Sequence, residues 1–311
     1  LLNYKFVNSI IESKKKMSYS EVNKILDEGI VSDDYLPFVE ELTTLKDLSD
    51  ILTLKRKSEG MLTFKEHENT FIEDENGNIT GIEERNNGTA GKMIENAMIL
   101  FNYCQSLYLN FIIGKSINRV HDLPDQDKLM EAFDKIHSLG YNLPKINSMT
   151  TSQYIQTILN MYQNTKDYPV ISDIILKALP RAHYSIYPTG HFGLGLDYYT
   201  HSTSPIRRYP DLKAQQIIDS YEQGKLYEIE DNSTLEAICE HCSMKEQEAD
   251  ALEREVELIK MLNYVERHLD KSYYGTITDI DKERAYLRTI TNIPGYIDYQ
   301  GLDDIRFIKS K

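Results

Sequence analysis

Three cysteines among 311 residues are too few for a disulfide framework and point to a reducing compartment, the cytoplasm. No run of about 18 apolar residues exists, which excludes a membrane-spanning helix. Internal repeats and low-complexity tracts are missing, and a hydrophobic content of 41% excludes a disordered or fibrous chain. Cationic excess is missing as well. Asp and Glu number 49 against 35 Lys and Arg, a net charge of −14, which argues against a generally basic nucleic-acid binder but leaves room for a local basic groove. The opening Leu1-Leu2-Asn3-Tyr4-Lys5 has neither an initiator methionine nor the charged-then-apolar layout of a leader peptide. The length suits one large domain, or one domain with a small appendage.

The first third reads as helices around one small sheet. Ser18-Tyr19-Ser20-Glu21 is a capping-box pattern that opens a short helix ending near Gly29. A longer helix is predicted over Asp34 to Lys57, its apolar stripe running from Val39 through Leu54, with Gly60 as the stop. Met61–Lys65, Thr70–Glu73 and Ile79–Glu83 read as strands, the last two joined at the hairpin signal Asn76-Gly77. Helix returns over Thr89 to Asn110 and dominates to Leu179. Strand and loop follow over Ile186 to Tyr199, then a helix to Glu222. A second capping box, Ser233-Thr234-Leu235-Glu236, opens a charged helix reaching toward Leu269. In the tail, Tyr273–Thr278, Ala285–Thr291 and Gly295–Tyr299 are β-like runs, which reads as the beginning of a small β-barrel.

The stretch Arg181 to Gln216 departs from the acidic background. It carries Arg181, Arg207, Arg208 and Lys213 against Asp197 and Asp211, a net charge of +2, together with His183, His191 and His201. Six aromatics lie among them: Tyr184, Tyr187, Phe192, Tyr198, Tyr199 and Tyr209. Guanidinium groups clamp phosphate oxygens and aromatic faces stack on bases, so this interleaving fits a single-stranded nucleic-acid channel. A folded core with a few surface cations fits it too. In Ser204-Pro205-Ile206-Arg207-Arg208-Tyr209-Pro210-Asp211, two prolines hold the backbone around two adjacent arginines.

His191-Phe192-Gly193-Leu194-Gly195-Leu196 followed by Tyr199-Thr200-His201-Ser202-Thr203-Ser204-Pro205-Ile206-Arg207-Arg208-Tyr209-Pro210-Asp211-Leu212 resembles the signature of the RNase R / RNase II family, 3′→5′ exoribonucleases with an RNB catalytic domain. Further blocks are similar in the family's order: Met17–Val22, Arg56 through Gly60 to Phe64, Met93–Met98, Arg119–Pro124 with Lys128, and His241–Arg254. The resemblance covers about Phe6 to Leu269. It implies an α+β fold, an RNB-type domain fragment over residues 1–270 with helices around a central mixed or antiparallel sheet. Residues 271–311 would begin an OB-like RNA-binding barrel, truncated, with Gly275–Thr278 as its first strand.

The resemblance further implies processive, metal-dependent hydrolysis of single-stranded RNA from its 3′ end to nucleoside 5′-monophosphates, in the cytoplasm, by a monomer that touches no membrane. Arg207 matches the arginine that grips the phosphate near the scissile bond, and Glu253 the acidic residue near the leaving product. On the RNA-binding side, Tyr19 and Phe64 match positions that stack on bases, Glu95 matches a site carboxylate, and His191, Arg208 and Tyr209 belong to the signature block. The family's Mg2+ or Mn2+ is held by an Asp-rich motif about a hundred residues before the Ser-Tyr block. Only 17 residues precede Ser18, so this chain is expected to bind no metal and to be inactive by itself.

Asp33-Asp34 and Asp303-Asp304 read as solvated caps and turns, and Cys239-x-x-Cys242 lacks the four ligands a zinc site needs. The chain also departs from the family pattern. Lys213-Ala214-Gln215-Gln216 stands where Leu-Val-His-Arg is usual, Ser202 where Phe is usual, and Asn96 where a second Glu is usual. These departures raise an alternative from another class, a catalytically degenerate homologue that binds single-stranded RNA as a scaffold or regulator. A helical protein-interaction module with an acidic partner face is the third reading.

Overall fold

The structure, a computed structural model, describes residues 3–65, 69–84, 87–145, 148–289, 291 and 293–299. In chain order the elements are α1 (Tyr19–Asn23), α2 (Val39–Ser58), β1 (Asn69–Glu73), β2 (Ile79–Glu84), α3 (Gly88–Leu107), β3 (Asn118–Val120) and α4 (Gln126–Ser138). There follow α5 (Thr151–Tyr162), α6 (Tyr168–Ala178), β4 (His183–Ser185), α7 (Tyr209–Glu222), α8 (Asn232–Glu266), β5 (Gly275–Ile280), β6 (Arg284–Thr289) and β7 (Pro294–Asp298). The class is α+β. The strands form antiparallel sheets β1-β2, β3-β4 and β5-β6-β7.

The chain divides into two compact units. The first comprises residues 1–62, 86–123 and 180–246. Ser18 caps α1 by accepting the Glu21 N–H, a π turn over Lys24–Glu28 follows, and Gly29 closes it in the left-handed region at φ 70°. Val22, Ile25, Tyr35, Leu42, Ala90 and Met93 bury one face of α1, α2 and α3 together. A second cluster gathers Leu109, Ile117, Tyr184, Ala214, Ile217, Leu235 and Cys239, bringing β4 together with α7 and the start of α8. Each fully buried aliphatic side chain of this kind contributes about 1.5–3 kcal/mol.

Two sequence expectations change here. Asp231, rather than Ser233, caps α8: its Oδ1 accepts the Thr234 N–H at 2.8 Å. Met61 and Leu62 form no strand. The Met61 N–H returns to the Arg56 carbonyl and the Leu62 N–H goes to Gly193, so these amides are spent on a helix end and a loop.

The second unit comprises residues 63–85, 124–179 and 247–311. Its helical core is Leu129, Ala132 and Ile136 of α4 with Ile155, Ile158 and Leu159 of α5 and Ile171 and Ile175 of α6. Asp125 caps α4, and Thr150 with Gln153 forms a complete capping box at α5. The Asn76-Gly77 hairpin forms as predicted, with Asp74 Oδ1 accepting the Asn76 and Asn78 N–H groups. Thr63–Lys65 also make no ladder: the Thr63 N–H goes to Gln156 and the Lys65 N–H to the Tyr168 hydroxyl. In the tail three antiparallel strands form. The Asp303-Asp304 pair and residue 290 of the expected Ala285–Thr291 strand lie outside the described residues.

Candidate functional site

The basic stretch is built on β3-β4 of the first unit. Arg119 pairs opposite Tyr184, which sets its guanidinium over the Tyr184 ring, 4.8 Å from the centroid. Glu246 of α8 closes an ion pair on the same arginine. The loop after β4 packs tightly. A Cβ at Gly193 would lie 3.0 Å from His121 Nδ1, and one at Gly195 would lie 2.9 Å from the Met61 nitrogen, in a backbone already at φ +65°. The glycines of this block therefore let the loop lie against the end of α2.

Rings stack edge to face through this core. His121 meets His191 at 5.2 Å, His191 meets Tyr199 at 5.4 Å, Tyr199 meets His201 at 5.7 Å and His201 meets Tyr184 at 5.8 Å. His191 Nδ1 accepts the Leu194 N–H, so this imidazole is neutral with its proton on Nε2. Burial, with His121 and Arg119 adding repulsion, pushes the His191 pKa down to about 3. Burial and Arg208 push His201 down to about 2. Tyr184 and Tyr199 are buried, and burial raises both phenols. These two rings are core, not free stacking faces, which corrects the reading of the six aromatics as one set. Tyr187 and Tyr209 are the well-exposed ones.

Beyond the rings the chain turns at Ser204. The Arg207 and Arg208 N–H groups both point to the Ser204 carbonyl, at 3.2 and 3.0 Å. Arg208 is the N-terminal flank of α7, and its Nη2 donates to Asp211 Oδ1 at 2.6 Å. The same carboxylate oxygen accepts the Ser204 N–H at 2.8 Å, and Asp211 is wholly buried. Arg208 therefore locks the turn. Arg207 is exposed and its side chain makes no hydrogen bond or ion pair among the described residues.

Of the other predicted positions, Tyr209 begins α7 with half of its surface exposed and Lys213 beside its ring. Tyr19 stands at the start of α1, exposed. Glu95 of α3 gives both oxygens to Lys92, at 2.9 and 2.8 Å. Phe64 and Glu253 belong to the second unit. Phe64 is half-buried between the two pinned amides of Thr63 and Lys65, and Glu253 is exposed on α8.

Sequence reasoning missed Asp211 as the partner of Arg208, although an acid three residues into a helix behind an arginine is a readable signal. It named Arg56 of α2 only as the start of a motif block; Arg56 is 5% exposed and its Nη1 and Nη2 have no hydrogen-bond partner among the described residues. The amides Asn102 and Gln105 of α3, whose types carry no such signal, were missed.

The carboxylates fit a divalent ion poorly. Asp211 gives Oδ1 to Arg208 and Ser204, its buried Oδ2 having no partner among the described residues, while Glu95 is engaged by Lys92, and Asp34 by Lys15 and Ser32. Among the described residues no group of three or more His, Cys, Asp or Glu side chains is placed to hold a metal. Cys239 lies in the core with its thiol pushed up to about 12 by burial.

A fold of this kind, with a rigid double-arginine turn over a buried ring core, defines a class that comparison identifies. The RNB domain profile matches residues 1–224. Ribonuclease R of Thermotoga maritima is 31% identical over 98% of this chain and 44% of its own length. Mycoplasma genitalium RNase R, solved in complex with ribose-methylated single-stranded RNA, superposes with a TM-score of 0.83 at 25% identity, over 92% of this chain and 46% of that one. Yeast Ssd1, described as a pseudonuclease, shares the fold at a TM-score of 0.66 and 17% identity. The chain belongs to the RNase R / RNase II family of RNB-domain proteins. It spans less than half the length of these curated relatives.

Proposed function

We propose that this chain is the RNA-clamping part of a 3′→5′ exoribonuclease that acts on single-stranded RNA. The observation that carries the reading is the contrast between the two arginines. Arg208 is held to a buried carboxylate, so the turn cannot wander, while Arg207 projects with its donors unspent. A guanidinium held at a fixed place and left without an anion is suited to a phosphodiester oxygen, and more so to the extra charge that develops as the bond breaks. Tyr209 beside it, and Tyr19 and Phe64 in their own units, offer ring faces to bases at about 1–3 kcal/mol each. The related Mycoplasma genitalium RNase R binding single-stranded RNA supports the same ligand class.

Among the described residues no group of three or more His, Cys, Asp or Glu side chains is placed to hold Mg2+ or Mn2+. The proposal therefore gives this chain RNA holding, in a complete cytoplasmic enzyme whose cation site lies in other residues. The test is a 3′-exonuclease assay on 5′-labelled single-stranded RNA with magnesium, run on this chain and on the full-length protein. Product ladders from the full-length protein alone support the reading. Silence from both with RNA binding retained assigns the protein to catalytically silent RNA binders instead. Degradation by this chain alone, abolished in Arg207→Ala, overturns the division of labour.

A further inference from the structure

We infer that Asn102, Gln105 and Gln215 form an amide cradle that positions Arg207 through the backbone of Ser202, an inference that rests on the RNA reading of Arg207. Ser202 is wholly buried in a loop that has no ladder partner, and side chains alone satisfy it. Its N–H donates to Asn102 Oδ1 at 3.2 Å. Its hydroxyl meets Gln105 Oε1 and lies 3.4 Å from Asn102 Oδ1. Its carbonyl accepts from Gln215 Nε2 at 2.7 Å. Asn102 also donates to the Tyr199 hydroxyl at 3.1 Å, tying the cradle to the ring core.

The amides come from two helices. Asn102 and Gln105 are three apart on α3 and share a face, and Gln215 reaches in from α7. Two residues beyond Ser202, the Ser204 N–H is fixed to Asp211. The backbone is thus clamped on both sides of Thr203, and Pro205 restricts the next φ. Little freedom remains before Arg207. A shift of about 1 Å in a catalytic group costs about a hundredfold in rate, so such clamping has something to protect. Ser202 and Gln215 are also two of the positions where the sequence departs from the family pattern. The structure joins them by one hydrogen bond, so they act together rather than as two separate losses.

Asn102 and Gln105 are almost wholly buried, whereas Gln215 is exposed apart from its amide contact, so Gln215 can be changed without opening the core. The experiment is equilibrium binding of a short 5′-labelled oligouridylate to this chain across a KCl titration. Arg207→Ala should weaken binding and reduce the slope of log K against log salt by about 0.7, the loss of one phosphate contact to a single strand. Gln215→Met should weaken binding about fivefold, as for one lost hydrogen bond, and reduce the slope in the same direction. In the Arg207→Ala background it should add nothing, because it acts through Arg207. Gln215→His, which keeps an N–H for the Ser202 carbonyl, should restore binding. If Gln215→Met does not fold, Ser202→Ala removes only the hydroxyl bonds and should show the same dependence on Arg207.

Equal weakening in both backgrounds, or no weakening in either, overturns the cradle while leaving the RNA reading intact. Failure of Arg207→Ala to change affinity or slope, or of the wild-type chain to bind, overturns the RNA reading and the cradle's purpose with it.

Discussion

Two adjacent arginines with the same intrinsic chemistry take opposite parts because one of them meets Asp211. With Asp211 wholly buried and Arg208 22% exposed, the pair is partly desolvated. Removing one partner leaves a buried charge unmet, at a cost of about 3–5 kcal/mol for a fully buried pair and less here, where Arg208 reaches water. Arg208→Ala is therefore expected to lower the melting temperature clearly. Arg207→Ala should leave the stability within about 0.5 kcal/mol of wild type, since no described residue is bonded to that side chain. Thermal denaturation of the two variants side by side checks this. If both destabilise equally, the turn is not locked as described. The sequence shows both arginines and the framing prolines, but it cannot show which one is paired, because that depends on Asp211 being buried.

The histidines carry a second consequence at the same scale. Unfolded, each imidazole takes a proton near pH 6.5, whereas in the fold His191 resists until about 3 and His201 until about 2. The unfolded chain therefore binds more protons in that interval. Stability should be complete above pH 6.5 and fall as the pH drops below it, by at most about 1.4 kcal/mol per unit for each ring. Because both rings keep some solvent contact, the slope should be shallower than that limit. Urea midpoints measured from neutral to mildly acidic pH should decline, and His201→Gln should flatten the decline. An unchanged slope in that variant would mean the ring is not held neutral.

Between elements, polar residues decide details that hydrophobic periodicity leaves open. Asn96 of α3 donates to the Ser49 carbonyl at 3.1 Å, the Ser49 hydroxyl at 2.6 Å and the Thr53 hydroxyl at 2.9 Å, both residues on α2. Where the sequence comparison marks a departure near a site carboxylate, the structure shows a buried tie between two helices. Asn96→Ala strands those groups and should cost about 1–3 kcal/mol, read as a drop in urea midpoint; a change under about 0.5 kcal/mol would show that water replaces the amide. Apolar spacing and caps made α1, α2, α3, α7 and α8 legible, whereas α4, α5 and α6 read only as a helical stretch to Leu179 without their separate bounds or caps. Met61–Lys65 was misread as a strand because its amides pair with a helix end, a loop and two side chains, and alternation alone cannot tell those partners from a neighbouring strand. The α8 cap shifted for a like reason: Asp231 and Ser233 are both good caps, and the choice rests on backbone geometry.

For the molecule as a whole, the family was legible from ordered motif blocks, with the His191–Leu212 block the most specific of them. The inward facing of the rings was not legible, because Tyr184 is buried in a cluster with α7 and α8 and Tyr199 is tied to Asn102 of α3, contacts that their neighbours in sequence do not reveal. The distribution of acid is likewise a property of the fold. Despite a net charge of −14, Asp211 at the arginine turn is engaged through Oδ1 by Arg208 and Ser204, and Glu95 by Lys92. A ligand that binds the folded state raises stability by RT ln(1 + [L]/Kd), about 2.7 kcal/mol at a hundredfold excess over Kd. With no such cluster among the described residues, magnesium should not raise the melting temperature of this chain beyond the effect of KCl at matched ionic strength. Single-stranded RNA should raise it, and less so in Arg207→Ala. A magnesium-specific rise would place a cation site within this chain and overturn the reading that its cation site lies in other residues.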